Sequence, residues 1–142
     1  MHIPEYTVDR INEIISTNLI PLTQELNYTV GGRQSDNIIE YIPIQILTQF
    51  LPSDYAYRTK WIHTIEYAPG GFQKVHTHPN EKYSWILYLD NSDGDTLYHT
   101  EKGIRTKPVK GKLVVFSANI PHEGLPCTKH KRVLVGSIDK ND

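Results

Sequence analysis

From Tyr57 onward the chain is cut into short alternating segments by turn residues, too closely spaced to leave room for helices between them. TKWIHTIEYA, residues 59–68, alternates so that Trp61, His63, Ile65 and Tyr67 share one face of a strand. Pro69-Gly70-Gly71 then reads as a turn. QKVHTH and KYSWILYL follow, then the turn NSDGD. TLYHT and IRTKPV flank a turn at Lys102-Gly103, KLVVFS follows a turn at Lys110-Gly111, and HKRVLVGSI closes the pattern. Six or seven short strands punctuated in this way predict a mainly β sandwich or jelly roll. Strand–helix alternation is missing, which argues against a parallel α/β sheet.

The preceding region, residues 1–57, is mixed and reads as a support for residues 58–142, the two together forming a single domain. Thr7 is placed to cap a helix carrying Val8, Ile11, Ile14, Ile15 and Leu19 on one apolar stripe, with Pro21 as its stop. NIIEYIPIQILTQFL fits both periods. Ile42, Ile44 and Ile46 alternate as in a strand, whereas Ile44, Leu47, Thr48 and Leu51 fit a helix starting at Pro43. The stretch is apolar enough to complete the core or to form a homodimer interface.

Composition narrows the function classes. At 38% hydrophobic residues over 142 positions, the chain can build one core and is too apolar to be disordered. A net charge of -1 with no block of like charges argues against bulk nucleic-acid binding. Cys127 is the lone cysteine, so an intrachain disulfide is excluded and a reducing compartment is the simpler reading. MHIPEYTVDR lacks the features of a signal peptide, and no apolar run approaches the ~20 residues of a membrane span. The expectation is a cytoplasmic protein with no membrane partner.

Three histidines carry the chemistry. In KVHTHP, His76 and His78 stand at i and i+2, so on a strand they project from one face, close enough to share an ion. An isolated pair of this kind is more often two surface histidines. His122, just after an apolar strand and the Ile120-Pro121 turn, is placed to complete a facial set. Arg132 lies ten positions further on, on an alternating strand, where a buried guanidinium needs an anion such as a carboxylate. Tyr88 shares a face with Ser84 and Ile86 and can donate to the same carboxylate, although a cross-strand aromatic is the plainer role. His2, His63, His99 and His130 read as structural or surface residues, with His99 and His130 also candidates to support the metal ligands.

Together these residues resemble the iron(II)- and 2-oxoglutarate-dependent oxygenase superfamily, over about Trp61 to Ile138. EYAPGGFQKVHTH is similar to the segment that ends in the first ligand pair, and SWILYLD to the next strand with its cosubstrate-binding tyrosine. VKGKLVVFSANIPHEGLP is similar to the segment bearing the distal histidine, and the step from His122 to Arg132 to the family's spacing of the basic residue. The wording is closest to a small bacterial and phage subgroup. The resemblance implies a double-stranded β-helix, a jelly-roll or cupin-like barrel, behind an N-terminal helical element. It implies Fe(II) on His76, His78 and His122, and 2-oxoglutarate held by Arg132 and Tyr88, with Tyr67 approaching it. The activity it implies is a dioxygenase: hydroxylation of a small-molecule or peptide substrate, coupled to oxidation of 2-oxoglutarate to succinate and carbon dioxide.

One position departs from the family. The usual partner of the first histidine is an aspartate, and here it is His78. Three imidazoles also suit Zn, Ni or Mn. Glu81, three residues on, could supply a carboxylate or be a solvated turn residue. Two other readings stay open. One is a cupin (a thiol dioxygenase, an isomerase or a small-molecule binder) that needs no 2-oxoglutarate and no Arg132. The other is a β-sandwich binding module using Trp61, Tyr83 and Trp85 as a platform, although those aromatics also fit the barrel core.

Overall fold

The computed structural model describes residues 1–140. Helix α1 (Glu5–Thr17) leads to strand β1 (Thr29–Gln34), then a 3-10 turn (Ile39–Tyr41) and two short helices, α2 (Ile44–Leu47) and α3 (Ser53–Tyr57). The strands β2 (Thr59–His76), β3 (Tyr83–Tyr88), β4 (Thr96–Tyr98), β5 (Arg105–Thr106), β6 (Leu113–Ser117), β7 (His122–Gly124) and β8 (Lys131–Ile138) follow. The protein is mainly β, with an N-terminal helical element.

Strand β2 organises the rest. Its first half pairs antiparallel with β8, from Thr59 opposite Ile138 to Tyr67 opposite Lys131. Its second half leaves β8 and pairs with β7, His76 opposite His122. β1 follows both halves along the other edge, with a register shift between Val30 and Gly32. The expected turn at Pro69–Gly71 is therefore a bend inside one continuous strand. Gly70 has φ 90°, and a Cβ on Gly71 would lie 2.6 Å from the Gly31 carbonyl oxygen. Only glycine allows the two backbones to cross this closely.

The sheet runs β5-β4-β7-β2-β8-β3-β6 and curls until its two ends meet. Phe116 of β6 packs edge-on against Tyr98 of β4 (5.0 Å) and His122 of β7 (4.8 Å). Closure of this kind leaves two faces. The outer one carries Ile62, Trp85, Leu87, Leu134 and Ile138 against Val8, Ile11, Ile14 and Ile15 of α1. Each such side chain contributes about 1.5–3 kcal/mol on burial. The inner one carries Ile65, Tyr67, Ile86, Tyr88, Val133 and Val135. This is the jelly-roll, cupin-type barrel.

Several local expectations change. Thr7 is not a cap: α1 begins after Pro4, and the Thr7 hydroxyl lies inside the helix, donating to Gln49 Oε1 at 2.6 Å. α1 ends at Thr17, so Leu19 falls outside the stripe and is exposed at φ 48°. The ambiguous stretch is helical turns, not a strand, and buries Ile42, Ile46, Leu47, Phe50 and Leu51 against the outer face. Among the described residues no helix is long and apolar enough to cross a membrane.

Gly136 is the tightest point of the wall, because a Cβ there would overlap the Trp85 indole. Gly136→Ala should cost about 1–3 kcal/mol by forcing that ring to shift. A urea midpoint unchanged from the parent protein would show that Trp85 is free to move.

Candidate metal centre

Backbone pairing builds the centre. His76 ends β2 and His122 opens β7, and the two are register partners, which sets their rings 4.3 Å apart. His78 lies beyond the strand end, where its N–H donates to the Ala118 carbonyl at 2.9 Å. That bond folds the loop back, and the His78 ring comes to 5.0 Å from His76 and 5.5 Å from His122. One ligand nitrogen from each histidine lies within 4.8 Å of the other two. A loop contact, and not strand alternation alone, thus aims the second histidine.

The imidazoles carry the features a metal ligand needs. Nδ1 of His76 donates to the Lys74 carbonyl (2.8 Å) and Nδ1 of His122 to the Ile120 carbonyl (3.0 Å). Those bonds select the tautomer that keeps the Nε2 lone pair free. Burial pulls the pKa of His78 down to about 4, helped by repulsion from His76. Burial pulls His122 to about 4 as well, against the opposing effect of its bond to Ile120. His76 is lowered by the same cause. Tyr28 stacks on His76 at 4.3 Å and holds the ring plane. Three neutral nitrogens with free lone pairs fit a divalent ion, and no carboxylate belongs to the set.

Glu81 instead accepts from the Trp61 indole N–H at 3.2 Å. Trp61 and His63 line the cavity that holds the triad, and Nδ1 of His63 meets the Ser35 carbonyl at 2.8 Å. His99 pairs with Glu123 at 2.7 Å. Trp85 is buried on the outer face, so it is not part of an exposed platform.

Arg132 departs from the expectation. Along β8 the inward positions are Lys131, Val133 and Val135, so Arg132 points outward. Its guanidinium binds Glu66 Oε1 at 2.7 and 2.9 Å and Asn12 of α1 at 3.1 Å. Strand alternation sends positions 131 and 132 to opposite faces, so a count of residues from His122 does not fix which of them faces the interior.

Lys131 holds the inward place. It is 2% exposed. Its Nζ donates to the Gly94 carbonyl at 3.0 Å and sits 4.6 Å from the centre of the Tyr67 ring. Among the described residues no carboxylate lies within ion-pair distance of it, and burial lowers its pKa. Tyr67, Tyr88 and Thr96 line the same small cavity, with the Tyr88 hydroxyl 2.7 Å from Thr96 Oγ1. That cavity shares Ile65, Gln73, Ile86 and Val135 with the one holding the histidines, so the two adjoin. Lys131, Thr96, Tyr28 and His63 were not singled out from sequence as ligands. The inward parity of Lys131 with Val133 and Val135 was the one available signal.

A family model described as the 2OG-Fe(II) oxygenase superfamily matches residues 62–138. In structure the chain is similar to a prolyl-4-hydroxylase from Pseudomonas putida, at 19% identity over 99% of this chain and 89% of that one, TM-score 0.66. It is similar to a viral collagen prolyl hydroxylase from Paramecium Bursaria Chlorella virus-1, in complex with 2OG, at 19% identity over 98% and 92%, TM-score 0.67. It is also similar to an oxidoreductase of the 2OG-Fe(II) oxygenase family from Burkholderia pseudomallei, at 14% identity over 94% and 78%, TM-score 0.71. At these identities the likeness bears on the fold. No curated protein matches the sequence.

The buried histidines fix the sign of a pH dependence. An unfolded imidazole titrates near ~6.5, whereas folded His78 and His122 titrate at about 4. The unfolded chain binds more protons between those values, so metal-free stability should fall as pH drops from 6.5 towards 4. Urea unfolding across that window should show the decline, shallower in His122→Gln. A flat profile would mean the imidazoles are not buried neutral.

Proposed function

The chain belongs to the 2OG-Fe(II) oxygenase superfamily, and from that premise we propose that it hydroxylates its substrate using Fe(II) on His76, His78 and His122 and 2-oxoglutarate on Lys131. The observation that carries this reading is a buried, anion-less Lys131 in a cavity adjoining three neutral imidazoles. An isolated buried ammonium costs several kcal/mol. A bound carboxylate offsets that cost, and the hydrogen-bonded Tyr88–Thr96 hydroxyl pair stands beside it with one O–H left to donate. Tyr67 supports the ammonium from below through its ring face.

When bound, iron supplies oxygen activation coupled to decarboxylation of 2-oxoglutarate. The chain's own residues do the rest. His76, His78 and His122 offer neutral donors without first losing a proton at neutral pH. Lys131 fixes the far end of the ketoacid and so its orientation towards the histidines. Ile65, Ile86 and Val135, with Gln73, line both cavities, so the surroundings between Lys131 and the histidines are mostly aliphatic. His78 in place of a carboxylate leaves the ligand set uncharged, so a divalent ion there keeps its full double charge and attracts the anionic cosubstrate more strongly. Arg132 is assigned a structural role, tying α1 to the sheet through Asn12 and Glu66.

A second reading, a cupin-type metal protein that uses no 2-oxoglutarate, draws on the all-histidine donor set. Anaerobic titration with Fe(II) and then 2-oxoglutarate separates the two, since chelation of the ketoacid by iron gives a visible absorption band. Lys131→Ala should weaken 2-oxoglutarate binding by about 2 kcal/mol or more, some 30-fold, with iron binding retained. Arg132→Ala should leave the cosubstrate titration unchanged and lower stability instead. Iron binding without a band favours the cupin reading. Loss of the band in Arg132→Ala alone would return the carboxylate to Arg132.

A further inference from the structure

One glutamine in the wall of the histidine cavity has nothing to bond. Gln34 ends β1, where its register partner is Ile65 of β2. Directly paired residues share a face of the sheet, and Ile65 faces inward, so the Gln34 side chain does too. It lines the cavity together with Trp61, His63 and the three histidines. Its backbone N–H and C=O are both taken by Gln24. The residue is only 8% exposed, yet its side-chain carboxamide has no hydrogen-bond partner among the described residues. The carboxamide is not fully covered, so a molecule in the cavity can meet it.

Its polar neighbours are committed elsewhere. Gln73, the second glutamine of this wall, points its Nε2 at Thr29 Oγ1 at 3.5 Å. The Trp61 indole N–H is taken by Glu81 at 3.2 Å. His63 donates from Nδ1 to the carbonyl of Ser35, the residue after Gln34, at 2.8 Å. That bond leaves His63 Nε2 as an acceptor on the same wall. A leucine would fill the Gln34 position without burying an unpaired amide. The amide therefore calls for a partner that the fold does not supply.

The partner's chemistry follows from these two groups. A carboxamide presents a carbonyl oxygen and an N–H side by side. Both are satisfied at once only by a group that carries its own N–H and carbonyl on one side. A primary carboxamide does so, and its second N–H remains for His63 Nε2. A peptide-backbone amide is trans, with N–H and C=O on opposite sides, and cannot make the paired contact. A ketone lacks the donor. The cavity is about 140 Å³, nearer one side chain than a drug-sized molecule. We infer that Gln34, assisted by His63, is the specificity-determining residue of this cavity and reads a primary carboxamide of side-chain size on the substrate. This role rests on the oxygenase reading of the same cavity: the triad faces the part of the substrate that reacts, and Gln34 the part that is recognised.

Acetamide is the probe, titrated into ¹⁵N-labelled protein, metal-free and Zn(II)-loaded, with acetone and N-methylacetamide as uncharged controls of similar size. Acetamide should shift the side-chain amide signals of Gln34 and the backbone signals of Gln34 and His63 with millimolar affinity. Acetone lacks the donor and N-methylacetamide holds it on the wrong side, so both should bind at least tenfold more weakly. Gln34→Leu should bind acetamide at least tenfold more weakly, with a Tm equal to or above that of the parent. Gln34→Glu, which keeps the shape and exchanges the donor for an acceptor, should lose acetamide binding to the same extent. Tighter binding of N-acetylasparagine methylamide than of acetamide supports a peptide-borne carboxamide, and weaker binding a free small amide. Controls that bind as tightly as acetamide, or acetamide binding unchanged in the variants, overturn the assignment. A lower Tm in Gln34→Leu with no acetamide response in the parent shows that the amide serves a buried water, and also overturns it. The oxygenase reading fails separately: no visible band with Fe(II) and 2-oxoglutarate removes that reading and leaves the acetamide result standing. A normal band with no acetamide response removes the recognition role alone.

Discussion

The antiparallel pairing of His76 with His122 is the contact on which the rest of the site depends. It joins residues 46 positions apart in the chain, and it exists only because β2 leaves β8 and crosses to β7. That crossing runs through Gly70, at φ 90°, and Gly71, which packs against Gly31 at a distance no side chain tolerates. The bend thus sets His76 and His122 opposite each other across the sheet. The third imidazole, His78, is aimed by a single backbone bond to Ala118, which follows directly on the strand closing the barrel. Placement of the three histidines and closure of the barrel are the same structural event.

The interior is electrostatically sparse, and that sparseness gives it chemical direction. Neutral imidazoles gather at one level, and a single buried ammonium lies further along the barrel, over the Tyr67 ring. Between them the walls are aliphatic apart from Gln73. In such surroundings each charge acts at longer range than in water, so an anion has one preferred place and one preferred orientation. The outer face handles its charges differently. Arg132, Glu66, His130 and Asp90 satisfy one another at the surface, where pairing gives α1 an anchor and calls for no ligand.

The same β8 strand separates these two environments. Lys131 and Arg132 are neighbours with similar charge, and alternation sends one inward and the other out. At the far end, Gly136 yields its space to Trp85 on the outer side, while Ser137 faces in. One strand therefore contributes a candidate anion site and a packing notch within eight residues.

Much of this was legible in the chain itself. Alternation marked the strands, and the two-residue spacing marked two histidines that the fold brings together with His122, because these are properties of neighbouring residues. The helical nature of residues 37–51 was not legible, since short apolar runs fit either period until packing selects one. Nor was the choice of Lys131 over Arg132: spacing counts residues, whereas facing depends on register, and register is set by β2 and β3 on either side. The sequence by itself determined which residue types were available and where strands could form. Only the tertiary structure decided which face of each strand became the interior, because that face is defined by closure of the sheet on itself, a contact between its two ends that no local pattern contains.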